Sequence, residues 1–221
     1  MSNSRPHEDR ERHTSVDHRP GGLPITFAPS AWCAIDIVHV KAERADAAIS
    51  AYETLIEKAE TSGAKAQMAT VLRSANHRRV IAIVGLEGHG AFAHLTSAWD
   101  AHHLYAEHRA VAESIALALY QVKEIVGEIP IDPGSHDIYA FERTAADPVQ
   151  VATLIEPLKA TANFLGALVF AGDTGGAAIL YRFQHAADID AFRAGAAARK
   201  VLGTGSTGDA EFAVHPVKTF A

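Results

Sequence analysis

The spacing of apolar residues changes period several times along the chain, and each change marks an expected element. Residues 1–28 offer almost nothing to bury, so a disordered tail is expected there. Residues 33–42, CAIDIVHVKA, are β-branched and apolar enough for a strand. Residues 45–63 then carry Ile49, Tyr52, Leu55, Ile56 and Ala59 at helical spacing, with Gly63 where a helix C-terminus expects it. Residues 66–74 and 78–87 read as strands around Ala75-Asn76-His77, a connection suited to a hairpin. A helical region over 89–116 and a strand over 118–126 complete the first half.

The same order then recurs: a strand at 137–144, a helix at 147–164, strands at 167–172 and 177–184, a helix near 186–200, and a strand at 211–220. Asp147-Pro148 reads as an N-cap followed by proline at the first helical position. Residue matches accompany the recurrence. Asp36-Ile37 and Asp46 match Asp137-Ile138 and Asp147 at an offset of 101. Ala82, Ile83 and His89 match Ala178, Ile179 and His185 at 96, and Ala118, Val122 and Lys123 match Ala213, Val217 and Lys218 at 95. Three ordered sets at nearly constant offset point to an internal duplication of βαββαβ.

A βαββαβ unit is ferredoxin-like: four antiparallel strands with both helices on one face. Its other face is bare and apolar, and a second unit can cover it. The expected fold class is therefore α+β, with tandem ferredoxin-like units forming an intramolecular, pseudo-dimeric α/β barrel. The first repeat spans 33–127 and the second 136–220.

Composition narrows the function classes. Hydrophobic residues make up 48% and charged residues 21% of 221, ordinary for a globular chain. A net charge of −6 with no basic run argues against nucleic acid. One cysteine, Cys33, leaves no internal disulfide and no cysteine-cluster metal site. No apolar run approaches the ~20 residues that span a bilayer, and the polar N-terminus lacks a signal-peptide core. The expectation is a cytoplasmic protein with no membrane or metal partner. No nucleophile elbow, phosphate loop or dinucleotide fingerprint occurs.

SAWDAHHLYAEHRAV (97–111) holds a tryptophan and three histidines within ten positions. Together with RRVIAIVGLE and the strand–helix order, it resembles the dimeric α/β-barrel superfamily, in particular its antibiotic-biosynthesis-monooxygenase-like branch. Members often carry a Trp after the third strand and a His about ten residues on, here Trp99 and His108. The resemblance implies a pocket between sheet and helices, and functions that range over cofactor-free oxygenases, haem-degrading oxygenases, haem-binding dehydratases and small isomerases. The haem-degrading branch uses an Asn on the first strand. Asp36 and His39 are the polar residues on that strand here, which counts against haem degradation.

If 101–116 is one helix, Leu104, His108, Val111 and Ile115 form an apolar stripe. His108 is then either a pocket-lining residue or a paired core histidine. His102 and His103 stand six and five residues from it, not three or four, which argues against a helical metal triad. Trp99 is either packing or a wall for a flat substrate. His39 and Asp36 point to opposite faces; if His39 faces the helices it can share a pocket with His108. Asp36 recurs as Asp137, which favours a structural role, and His89 recurs as His185, where a helix cap is expected.

The expected activity is a cofactor-independent monooxygenase-like or isomerase-like enzyme for a small aromatic or polyketide-type substrate. His108 and His39 are the catalytic candidates, and Trp99, Tyr105 and Asp36 the substrate-binding ones. The alternatives are a haem protein with His108 as axial ligand, and a small-molecule binder without catalysis. The second repeat, with Gly195 and Thr204 at the places of Trp99 and His108, is expected to be scaffold. A homodimer of the pseudo-dimeric chain is compatible with this reading.

Overall fold

The computed structural model describes residues 22–41, 43–61, 66–101, 104–203 and 213–220; the side chains of 59–61, 101, 104, 105, 107 and 108 lie outside that description. The first unit runs β1 (Trp32–Val40), α1 (Ala45–Thr61), β2 (Ala66–Ser74), β3 (Arg79–Leu86), α2 (Ala91–Ala101), α3 (Leu104–Val111) and β4 (Ala112–Gly127). The second runs β5 (Ile138–Thr144), α4 (Pro148–Ile155), a 3-10 turn (Glu156–Ala160), β6 (Phe164–Gly172), β7 (Ala177–Phe183), α5 (Ala186–Ala194), α6 (Ala196–Leu202) and β8 (Ala213–Phe220).

All eight strands pair antiparallel in one closed ring, β1-β3-β2-β8-β5-β7-β6-β4. Each four-stranded sheet lends its bare face to the interior, as the apolar alternation requires. Cys33, Ile35 and Ile37 of β1 meet Ile81 and Ile83 of β3 and Phe141, Leu168, Phe170 and Leu180 of the other unit. The intervening residues face helices: Ala34, Val38 and Val40 pack with α1 and α2, and Ala140, Ile179 and Tyr181 with α4 and α5. Strands buried on both sides lose their polar alternation, which is why CAIDIV reads almost continuously apolar.

Three expected helices are shorter than their periodicity suggests. The region 89–116 ends at Val111 because β4 pairs with β1 from Val40–Ala112 to Trp32–Gln121. Ile115, Leu117 and Leu119 thus alternate on a strand facing the helices, and Ile115 drops out of the stripe through His108. The helix at 147–164 stops at Ile155, next to Pro157, whose ring cannot donate to the helical ladder. Gly195 divides the third into α5 and α6. The cap at Asp147 is as expected: its Oδ1 accepts from Val149 N at 2.7 Å, with Pro148 at the first helical position.

The tail expected over 1–28 ends earlier than that. Residues 1–21 lie outside the described residues, but Ile25 and Phe27 are each only 4% exposed and belong to the barrel interior. Ile25 exchanges both backbone hydrogen bonds with Ile131 of the inter-unit linker, at 3.0 and 2.8 Å. Phe27 sets its ring edge-on to Phe170, 6.5 Å between centroids. Tyr139 fixes the linker by donating to Pro130 O at 2.7 Å. This segment and the linker together stopper one end of the barrel.

Phe27→Ala is expected to cost about 3 kcal/mol of unfolding free energy in denaturant titration, as for other buried aromatics. A segment that merely trailed from the barrel would show no change.

Candidate active site in the first unit

The pleat of β1 decides which polar residue can serve a pocket under the helices. Asp36 lies on the helix face between Ala34 and Val38, opposite Ala82 of β3 and Leu117 of β4. His39 alternates to the barrel-interior face at the strand's end, opposite Arg79 and Ser114, just before a bulge. The condition for His39 and His108 to share a pocket is therefore not met, and Asp36 is the polar residue of β1 on the helix face.

Asp36 is 1% exposed. Burial raises its carboxyl from the ordinary 3.8 to about 6, although the Tyr52 hydroxyl of α1 and the backbone N–H of Ile37 pull the other way. No cation among the described residues is one of the groups acting on it. Its Oδ1 has no hydrogen-bond partner among the described residues. A carboxyl in such a setting can accept or release a proton near neutrality.

Trp99 of α2 is 1% exposed in the same helix–sheet layer, with Tyr52, Leu55 and Leu95. Trp99 belongs to α2, which is assigned to Ala101, and His108 to α3, which is assigned from Leu104. His102 and His103 lie outside the described residues. Tyr105 and His108 are carried by α3, next to α1, with their side chains outside the description.

The second unit holds a counterpart that the matched offsets missed. Superposing the pair Ile35–Ile83 on Phe141–Leu180, and Cys33–Tyr120 on Tyr139–Val214, carries Asp36–Ala82 onto Glu142–Ile179. The same operation exchanges Leu72–Pro216 with Phe170–Val122, so the register holds around the ring. The apparent matches were slipped. Ala82 faces helices whereas Ala178 faces the interior, and Val122 faces the interior whereas Val217 packs on the helix side. Asp137 is not the mate of Asp36. It is a linker residue bound to the Ser135 hydroxyl and to Arg182 Nε at 2.9 Å; burial opposes ionisation, but these partners hold its carboxyl below the ordinary range.

Glu142 is 3% exposed, and burial raises it to about 7 against the pull of Arg193, whose Nη1 lies 2.8 Å from Oε2. Its Oε1 and the Tyr181 hydroxyl have no hydrogen-bond partner among the described residues. Among the described residues, one unit thus buries a carboxyl without a cation, and the other buries one with its cation. The strand alternation Tyr139-in, Phe141-in, Glu142-out was the signal available in the sequence.

The expected caps fare differently. His185 occupies the N-cap position of α5 without a side-chain bond to it. His89 instead sits 3.6 Å from Asp173 of the other unit and edge-on to Trp32. No group of three His, Cys, Asp or Glu suited to a metal occurs among the described residues. One cleft of about 830 Å³ lies between α4 and α6, and two smaller ones lie where the second unit meets β4.

The unfolded chain ionises Asp36 near 3.8 and the folded chain only near 6, so stability present below that window is lost as pH rises through it. Two pH units of difference correspond to about 3 kcal/mol. Asp36→Asn is therefore expected to gain on the wild type by up to about 3 kcal/mol between pH 4 and pH 7 in urea unfolding. A difference that stays flat with pH removes the assignment.

No family model matches the chain, and no curated protein matches it. Solved structures do. An anthrone oxidase-like protein superposes with a TM-score of 0.68 at 12% identity, over 89% of this chain and 95% of that one. A protein described by name as a monooxygenase, from Fusobacterium nucleatum subsp. nucleatum, gives 0.58 at 12% identity over 87% and 95%. A double variant of chlorite dismutase from Candidatus Nitrospira defluvii gives 0.51 at 10% identity over 86% and 92%. With the closed ring of two βαββαβ units, these likenesses identify the chain as having the dimeric α/β-barrel fold, both units supplied by one polypeptide.

Proposed function

We propose that the chain is a cofactor-independent, monooxygenase-like or isomerase-like enzyme acting in its first unit on a small aromatic or polyketide-type substrate. The observation that carries this reading is Asp36: a buried carboxyl raised to about 6, with one oxygen unpaired among the described residues, in the layer that holds Tyr52 and Trp99. The names of the structural neighbours, anthrone oxidase-like and monooxygenase, agree with it.

In this reading the Asp36 carboxylate accepts a proton from a phenolic O–H or an acidic C–H of the substrate. The anion left behind is electron-rich. In an oxygenase it reacts with dioxygen, one atom entering the product and the other leaving as water; in an isomerase it is reprotonated at another carbon. Trp99 provides a flat wall for an aromatic ring. His108 of α3 is the second proton-transfer group, and Tyr105 contributes to substrate binding. With Asp36 1% exposed, substrate reaches it only when a helix lifts from the sheet.

The residues described do not fit haem in this layer. Tyr52, Leu95 and Trp99 are each at most 1% exposed and fill the space beneath α2, and no buried histidine faces it among the described residues. No step is derived through haem. Among the described residues no helix is long and apolar enough to cross a membrane.

Turnover of a hydroxylated anthrone in air, followed by product mass, tests the proposal. Asp36→Asn and His108→Ala are each expected to lower kcat/KM by about 100-fold or more. In the wild type kcat/KM rises with pH through about 6 and then levels. Full turnover by either variant removes that residue's role. A Soret band on adding haem, lost in His108→Ala, transfers the assignment to a haem protein.

A further inference from the structure

A cleft of about 830 Å³ lies between α4 and α6 of the second unit, the unit expected to be scaffold and not the one that holds Asp36. That is within the size range of small-molecule sites. Among the described residues its lining contains two cations, Arg143 and Lys200, and no carboxylate, in a chain with 26 acidic and 20 basic residues. Neither cation makes an ion pair among the described residues. The nearby acids are turned to other tasks: Asp147 caps α4 and Glu142 is paired with Arg193.

The rest of the lining is mostly apolar. Val149 stands 72% exposed there, one of two large hydrophobic residues so exposed among those described. Val201 and Leu202 face it from α6. The two threonine hydroxyls are already used internally, Thr144 on Val201 O at 3.1 Å and Thr153 on Val149 O at 2.8 Å. They therefore do not offer the cleft a strong polar lining.

We infer that the cleft between α4 and α6 is a second ligand site, for an amphiphilic carboxylate whose head is met by Arg143 and Lys200 and whose apolar body lies along Val149. Two cations without an acidic neighbour among the described residues complement one anionic head, and an exposed valine beside them gains only if something apolar covers it. A neutral amphiphile would leave the cations unused, and a small anion would leave Val149 in water. The site is independent of Asp36 and of the reaction proposed for it.

Calorimetric titration of the full chain with dodecanoate below its micelle concentration tests this. One equivalent is expected to bind, more weakly as salt rises. Replacing both cations, Arg143→Gln with Lys200→Gln, is expected to weaken binding about tenfold, each exposed charge contributing up to about fivefold. Val149→Asp is expected to abolish it, and dodecanol and acetate to bind at least tenfold more weakly than dodecanoate. All three side chains are exposed, so the variants keep the fold, which an unchanged Tm confirms. Asp36→Asn is expected to bind dodecanoate as the wild type does, whatever becomes of turnover. Absence of dodecanoate binding, equal binding of dodecanol, or unchanged affinity in the double variant overturns the inference.

Discussion

A four-stranded sheet with helices on one side has another side that must leave water, and everything else in this chain follows from how that is done. Two such sheets share their bare faces, so the barrel interior is one continuous apolar body contributed by both units. The closed ring leaves no strand edge unpaired. Polar groups can then lie only at the barrel ends or in the two layers between strands and helices. Placing Asp36 in one layer and Glu142 in the other is costly, because burial favours their neutral forms.

The two layers handle that cost differently. Arg193 reaches Glu142 from α5 and supplies a counter-charge, whereas Asp36 has a tyrosine hydroxyl and a backbone N–H but no cation among the described residues. An ion pair fixes a charge; an unpaired acid in a dry layer keeps its proton within reach of exchange. The asymmetry supports the chemistry proposed for the first unit on grounds that do not depend on the Trp99 and His108 pattern.

The architecture was largely legible because alternation and helical spacing report burial directly. Where it was not, a non-local interaction prevailed: β4 took residues 112–116 from an apparent helix because β1 was there to pair with them. Ile25 and Phe27 looked like part of a polar leader because two apolar residues make no period, and only the linker explains their burial. The candidate site was not legible by face. One position along a strand reverses its side, so the sequence left open which of His39 and Asp36 faces the helices, and the duplicated offsets paired Asp36 with Asp137 rather than Glu142. Tyr52 read as one residue of a helical stripe, with no sign that it lay over a carboxyl.

The seam between β2 and β8 bears on how the chain reaches this state. Thr70 donates to Lys218 O, 148 residues later, and Thr219 donates to Leu23 O across 196 residues. During synthesis the first unit emerges with the outer edge of β2 bare until the last strand leaves the ribosome. Such contacts make closure slow and late, and an exposed edge can meanwhile accept a strand from another nascent chain. The C-terminal eight-residue strand is the fastener of the barrel, and a chain that lacked it would present an open sheet to whatever lay nearby.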